Sequence, residues 1–395
     1  MENNYSYSKL NTSYGGAVTI KSWNKIVIFE KNIITNNNCS GGCTSYGGGI
    51  YLRSISSKSV QATENVIRYN SSKIGSGFFI YSNGKTIVSK NIITQNQSDG
   101  IRSERASSIE ISENIIKSGT GTGIYITSSL DSSITCSINN NIVMNYNNDS
   151  SVGGGIYVDN YKLINIHQNL ITTNSAIKGA GIYLKPVSSL FLSKNTIASN
   201  IAKALGGGIY IETSRMQNHL SLKNNIFWNN IANTEGDDIF LHGFGANPRE
   251  LINNTVREIA GYFDKNTDNI STDPLFFSPE TGDYHLQPNS PCINAGYHTL
   301  TSNDLDGTPR IGIADMGAYE YNPTFPHPAD TNQNFIIEEN EYTAYNNSWH
   351  QNLPWPTEPI TIPIEYNTRA GFLIENGGSY TNSGEMKPLC WKPAK

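Results

Sequence analysis

Two short phrases alternate along the first two thirds of this 395-residue chain, and their spacing leaves few folds open. One is Asn-Ile-Ile or a close variant, beginning at Asn32, Asn65, Asn91, Asn114, Asn141, Asn169, Asn195 and Asn225. The other is Gly-Ile-Tyr, beginning at Gly49, Gly123, Gly155, Gly181 and Gly208, with variants at Gly77, Gly100 and Asp238. Successive Asn phrases lie 23 to 33 residues apart. Ahead of each Asn, two apolar residues alternate with polar ones, and another Asn usually follows five places on. Ile164, Ile166, Asn169, Ile171 and Asn174 form one such set. Alternation with period two belongs to a strand buried on one face. The alternation skips a place at the Asn, which puts a tight bend there. The Gly-Ile-Tyr phrase supplies a third strand, with Ile156 and Val158, or Ile182 and Leu184, pointing inward. No 3.6-residue periodicity accompanies the pattern, so this region is not helical.

Three short strands in roughly 25 residues bury nothing alone, but stacked copies share one core. The expected fold class is therefore all-β, a parallel β-helix solenoid over residues 1–255 with about nine coils and three short strands per coil. A buried Asn at each bend can bond the backbone and its stacked neighbours. Gly119 and Tyr146 interrupt the second Asn column. These phrases resemble the right-handed parallel β-helix proteins of the pectate-lyase-like superfamily, over about residues 10–255. That fold hosts unrelated activities, so function must come from the site.

In that superfamily, substrate lies along the face corresponding here to the Gly-Ile-Tyr strands. Its outward positions line up as Thr19, Tyr51, Phe79, Arg102, Tyr125, Tyr157, Tyr183, Tyr210 and Phe240. Tyr157, Tyr183, Tyr210, Tyr125 and Arg102 are the candidate substrate-binding residues. The next outward column places Asp159, Lys185 and Glu212 on consecutive coils. Two strand spacings put Asp159 and Glu212 roughly 10 Å apart, near the separation of inverting glycosidase carboxyls. A lyase would instead use Lys185 or Arg102 as base. Against chemistry stand two plain readings: alternating charges along a stack form ion pairs, and large rings cover backbone. The catalytic phrases of uronan epimerases, polygalacturonases and classical pectate lyases are absent. Asp237-Asp238 occupies the glycine slot of the repeat and reads as a turn.

Residues 273–321, with Asp273-Pro274-Leu275-Phe276, Ser290-Pro291-Cys292-Ile293-Asn294-Ala295-Gly296 and Asp315-Met316-Gly317-Ala318-Tyr319-Glu320-Tyr321, resemble the block that ends many secreted bacterial β-helix proteins, and we expect 256–322 to cap the last coil. Within it, Asp304 and Asp306 read as a turn in preference to a cation site. A Pro-rich linker is expected over 323–329. Next, 330–341 places oxygen side chains at loop positions 1, 3, 5, 9 and 12. This spacing resembles an EF-hand or dockerin-type calcium loop. Asp330, Asn332, Asn334, the Ile336 carbonyl, Glu338 and Glu341 are the candidate Ca2+ ligands. Position 6 carries Phe335 where such loops have Gly, and a left-handed backbone there costs about 1 kcal/mol. One loop is present where dockerins carry two. A helix is expected over Glu341–Trp349, completing a segment 330–352. Residues 353–395 read as a small β appendage with strand-like Ile360–Ile364 and Gly371–Ile374, and resemble C-terminal modules of large secreted bacterial proteins.

Composition narrows the role. A net charge of −5 argues against a non-specific nucleic-acid binder. Low charge with frequent aromatics argues against disorder, and no apolar run approaches a membrane helix. Five cysteines form no paired ligand motif, and Cys39 and Cys43 either pair or stay as thiols. No basic n-region followed by an apolar stretch opens the chain, so no signal peptide is visible. We expect an extracellular or cell-surface location with a truncated start. The expected role is a non-catalytic module, structural or binding a polysaccharide or surface component, with a calcium-binding tail that attaches or stabilises it. The alternative is a polysaccharide lyase or glycoside hydrolase acting on the Tyr157–Tyr183–Tyr210 face.

Overall fold

The computed structural model describes all residues except 1–3, 8–12, 41–43, 129–133, 187, 214–218, 244–247, 298–302, 311–312, 322–325, 333, 358, 383–386, 390 and 395. The chain divides into two compact units. The first comprises Met1–Ser271 with Met316–Ala318, and the second Thr272–Asp315 with Tyr319–Lys395.

The first unit is a parallel β-helix. Among the described residues, one ten-stranded sheet runs from Val18–Ser22 to Ile259–Ala260 and carries the Gly-Ile-Tyr strands. A second ten-stranded sheet runs from Val27–Glu30 to Lys265–Thr267, and a third follows each Asn bend, from Ile33–Thr35 to Ile226–Trp228. All their pairings are parallel and hold register from coil to coil, as in Ile156↔Ile182↔Ile209. The stacking continues to an isolated bridge between Thr255 and Ile270, past residue 255. Inward Ile, Val and Leu from the three sheets form one continuous core. Ile164, Ile166 and Ile171 are fully buried in it, as their spacing requires.

The bends explain the Asn columns. At the first corner the residue before each Asn is left-handed, for example Glu113 (φ 56°), Asn140 (φ 56°) and Gln168 (φ 55°). At the second corner the same holds for Gln95, Thr173 and Ser199, and Asn145 is left-handed ahead of Tyr146. Each left-handed non-Gly residue carries a penalty of about 1 kcal/mol. The following Asn offsets it by bonding backbone groups around the corner and the Asn side chain of the next coil. Asn169 Nδ2 donates to Ile138 O (2.9 Å), His167 O (3.0 Å) and Asn195 Oδ1 (2.9 Å). Its Oδ1 accepts from the Asn141 backbone N–H (2.8 Å) and Nδ2 (3.0 Å). The same bonds repeat from Asn32 through Asn254 to Asn269. The second column breaks where expected, and for a packing reason. The Tyr146 ring fills the space of the missing Gly119 side chain, whose Cβ would lie 2.2 Å from Tyr146 Cε1. Asp238 ends this column: Asn230 Nδ2 donates to its Oδ1, and the N–H groups of Arg257 and Glu258 donate to its Oδ2. It is a buried brace within a turn.

The third corner uses glycine. Gly179 has φ 59°, and a Cβ there would lie 2.5 Å from Ile182 O and 2.8 Å from Tyr183 Cβ. A side chain at this place would collide with the strand it introduces.

The second unit contains an antiparallel pair, Phe276–Ser278 with Asp283–Leu286, then helix α1 (Glu339–His350), helix α2 (Ile364–Glu375) and a second antiparallel pair, Tyr380–Asn382 with Trp391–Pro393. The helix expected over Glu341–Trp349 lies within α1. The strands expected at Ile360–Ile364 and Gly371–Ile374 are not there. Ile364 opens α2 after Pro363, and Gly371–Ile374 lie inside it. The buried residues Tyr366, Ala370 and Leu373 fall at helical spacing, which the β-branched and glycine content of the segment masks. These side chains pack with Tyr345, Trp355, Tyr380 and Trp391 into the unit's core. Of the expected linker 323–329, residues 323–325 lie outside the described residues, and His327 and Ala329 are fully buried. Asp304 is also buried: Oδ1 accepts from the N–H groups of Asp306 and Thr308, and Oδ2 from that of Glu320. It braces a turn within the protein instead of a solvated one. Cys39 is buried, and Cys43 lies outside the described residues.

Candidate functional site

The outward column of the Gly-Ile-Tyr sheet is aligned in the order read from the sequence. Arg102 pairs in register with Tyr125, Tyr125 with Tyr157, Tyr157 with Tyr183, and Tyr183 with Tyr210. A parallel register fixes these rings one above another, and they stack. Tyr125 and Tyr157 centroids are 4.5 Å apart with planes at 5°, Tyr157 and Tyr183 5.5 Å at 6°, and Tyr183 and Tyr210 4.8 Å at 3°. Phe240 continues the stack at 5.2 Å. Ring faces therefore meet ring faces, a dispersion-rich arrangement.

The ladder is also closed from the side. Tyr157, Tyr183 and Tyr210 are only 8%, 7% and 3% exposed, although the pleat points them away from the core. Val152 and Leu205 pack against them, and Lys178 Nζ sits 5.5 Å from the Tyr210 ring centroid. These three residues directly precede the left-handed Gly153, Gly179 and Gly206. Their register partners are one another, Val152 with Lys178 and Lys178 with Leu205. Sequence reading missed this covering layer. Its signal was the residue before each glycine run, which the alternating pattern does not include. Burial raises the phenol of Tyr183 to about 12, and raises those of Tyr157 and Tyr210 as well.

Arg102 occupies the rung below Tyr125 and is held on three sides. Its Nη1 lies 3.2 Å from Asp99 Oδ2, its Nε 2.9 Å from Glu104 Oε1, and its guanidinium carbon 3.9 Å from the Tyr125 centroid. Burial lowers its pKa, but Asp99, Tyr125 and Glu104 outweigh that and hold it raised.

Asp159 pairs in register with Lys185, and Glu212 lies on the next coil, so the three candidate catalytic residues share one column. Each is engaged locally. Tyr157 Oη donates to Asp159 Oδ2 at 3.5 Å, Lys185 Nζ lies 5.6 Å from the Tyr183 centroid, and Glu212 Oε2 is 3.7 Å from His242 Nε2.

Of the candidate calcium loop 330–341, all residues but 333 are described. Phe335, at the sixth position, is left-handed (φ 62°). Asp330 Oδ1 and Asn332 Oδ1 accept from the Asn334 N–H, Asp330 Oδ2 from the Phe335 N–H, and Asn334 Oδ1 from the Ile336 N–H. Glu341 Oε1 accepts from the N–H groups of Thr331 and Asn332, and Oε2 from the Glu338 N–H. Burial raises the Glu341 carboxyl, but its bonds to Thr331 and these backbone donors hold it below the usual range. The donors are all oxygens, the set that calcium takes. Among the described residues, no group of three or more His, Cys, Asp or Glu gathers closely enough to hold a metal ion.

A family model described as a right-handed β-helix region matches residues 2–152. No curated protein and no solved structure matches the chain. No helix among the described residues is long and apolar enough to cross a membrane.

Proposed function

We propose that this right-handed parallel β-helix protein is a non-catalytic module of the cell exterior or cell surface, which binds a polysaccharide or surface component along its strand face. The packed tyrosine ladder carries the non-catalytic part of the reading. A sugar-processing cleft needs an open floor where substrate meets a proton donor and acceptor. Here that floor is filled by rings stacked on each other and covered by Val152 and Leu205. The polar column beside the ladder remains for contact, through Asp159, Lys185 and Glu212. Incubating the full chain with neutral and uronic glycans should give retardation in affinity gels, with no rise in absorbance near 235 nm and no new reducing ends. Product formation that is lost in Lys185→Ala or Glu212→Ala would establish a lyase or hydrolase instead.

The tail loop adds a calcium site in this reading. Asp330, Asn332, Asn334, the Ile336 carbonyl, Glu338 and Glu341 would hold the ion, which supplies charge to a loop built of acceptors and steadies it. The left-handed Phe335 and the alternating oxygens support it. Calcium at roughly millimolar concentration should raise the unfolding temperature of the full chain, and Asp330→Asn with Glu341→Gln should abolish the rise. An equal rise with magnesium, or none with calcium, removes the site.

A further inference from the structure

The first coils carry a cation cluster of another character from the pinned Arg102. Lys21, Arg53 and Tyr81 follow one another in register in the outward column of the Gly-Ile-Tyr sheet, next to the aromatic ladder. Arg105 lies at the corner after the following strand. The guanidinium carbons of Arg53 and Arg105 both sit over the Tyr81 ring, 5.5 Å and 5.6 Å from its centroid. Lys21 Nζ lies 4.7 Å from the Tyr14 centroid. Lys25 and Lys58, both exposed, follow the first two strands of the same sheet. Among the described residues none of these five cations has a carboxylate within ion-pairing distance, and the buried Arg105 Nε has no hydrogen-bond partner. The nearest acid in the column, Glu104, is taken by Arg102 at 2.9 Å.

Five unneutralised cations on a chain of net charge −5 form a local exception. Both guanidinium groups lie within cation–π reach of Tyr81, and a guanidinium suits two-point recognition of an oxyanion. We infer that Lys21, Arg53 and Arg105, positioned by Tyr81, form a binding site for an anionic polysaccharide bearing carboxylate or sulfate groups. The glycan as ligand rests on the binding reading above, while the place and the charge requirement rest on this cluster alone. A single-stranded nucleic acid is the less suitable polyanion, because it needs free rings on which bases stack and the Tyr81 ring already carries two guanidinium groups.

The test is affinity electrophoresis of the full chain in polygalacturonate, heparin, dextran and a single-stranded oligonucleotide, at low and raised salt. Polygalacturonate or heparin should retard the chain, less so as salt rises, and the preferred one tells carboxylate from sulfate recognition. Arg53→Gln with Arg105→Gln should weaken that binding by roughly tenfold or more without shifting the unfolding midpoint. Arg53→Lys with Arg105→Lys should recover only part of it, since charge returns without the planar fork. Lys265→Ala, at an exposed lysine on the last coil, should leave it unchanged. The site is overturned if neither polyanion binds, if the double Gln variant binds like the parent, or if the oligonucleotide binds more tightly than both glycans. Retardation by dextran with none by either polyanion would leave the general binding reading standing and remove this site alone.

Discussion

Asn169→Asp is expected to cost the protein about 3–5 kcal/mol at neutral pH, more than Asn169→Leu at about 3 kcal/mol. The two side chains of the first change are nearly isosteric, so the loss is electrostatic. Asn169 is fully buried. Its Nδ2 faces three oxygens, those of Ile138, His167 and the Asn195 side chain, at 2.9–3.0 Å. An Asp oxygen there would be an anion among acceptors, and the site would answer by raising its pKa or opening the coil. Leu removes the partner of two Asn141 donors, each a cost of about 1–3 kcal/mol. The Asp variant should recover stability as pH falls through the raised pKa of the new carboxyl, which separates charge from shape. Asn147→Asp, at an exposed position, should change stability by less than about 0.5 kcal/mol. Urea midpoints for the three variants check this. An Asn169→Asp chain as stable as the parent would mean the amide column does not hold the corners.

The second large effect is pH dependence in the second unit. His285 is held between two carboxylates, with Nδ1 2.6 Å from Asp283 Oδ1 and Nε2 2.7 Å from Asp306 Oδ2. It lies against the Tyr319 ring at 4.1 Å. Asp283 also meets Lys387 Nζ at 3.2 Å and accepts from Tyr366 Oη at 3.0 Å. Burial and Lys387 push the imidazole pKa down, but Asp283 and Asp306 overcome them and raise it to about 9. A folded-state pKa above the ordinary value of about 6.5 gives stability that is complete below pH 6.5 and lost as pH rises through 9. The loss amounts to up to about 3 kcal/mol. Three of the five tryptophans, Trp349, Trp355 and Trp391, lie in this unit, so their fluorescence follows its unfolding. The parent should weaken between pH 6.5 and 9, and His285→Gln should lose most of that dependence. Equal slopes in the two chains would remove His285 as the titrating group.

What the sequence carried well were features repeated on every coil. The inward residues, the Asn bends and the alignment of Tyr157, Tyr183 and Tyr210 follow from period-two alternation, because a parallel stack copies one register many times. Whether those tyrosines are open was not legible. Their burial depends on Val152, Lys178 and Leu205, single residues ahead of a glycine corner that belong to no alternating run. The left-handed corners were equally hidden, because Glu113, Gln168 and Thr173 do not advertise that conformation. Their cost is recovered by the neighbouring Asn and not by their own chemistry. In the tail, the sixth position of the 330–341 spacing marked the left-handed turn at Phe335. The same eye for alternation mistook Gly371–Ile374 for a strand, although Tyr366, Ala370 and Leu373 already stood one helical turn apart.

The claim on which the functional reading rests is that the tyrosine face is packed shut, and spectrophotometric titration of the phenols tests it most directly. Tyr51 and Tyr183 are each held at about 12, chiefly by burial. In the folded chain a late-ionising class that includes these residues should appear near pH 12 or only on unfolding, and Tyr183→Phe should reduce its amplitude. Reversible ionisation of every tyrosine near pH 10 in a chain that stays folded would mean that the ladder is open to water, and a sugar could then lie on it.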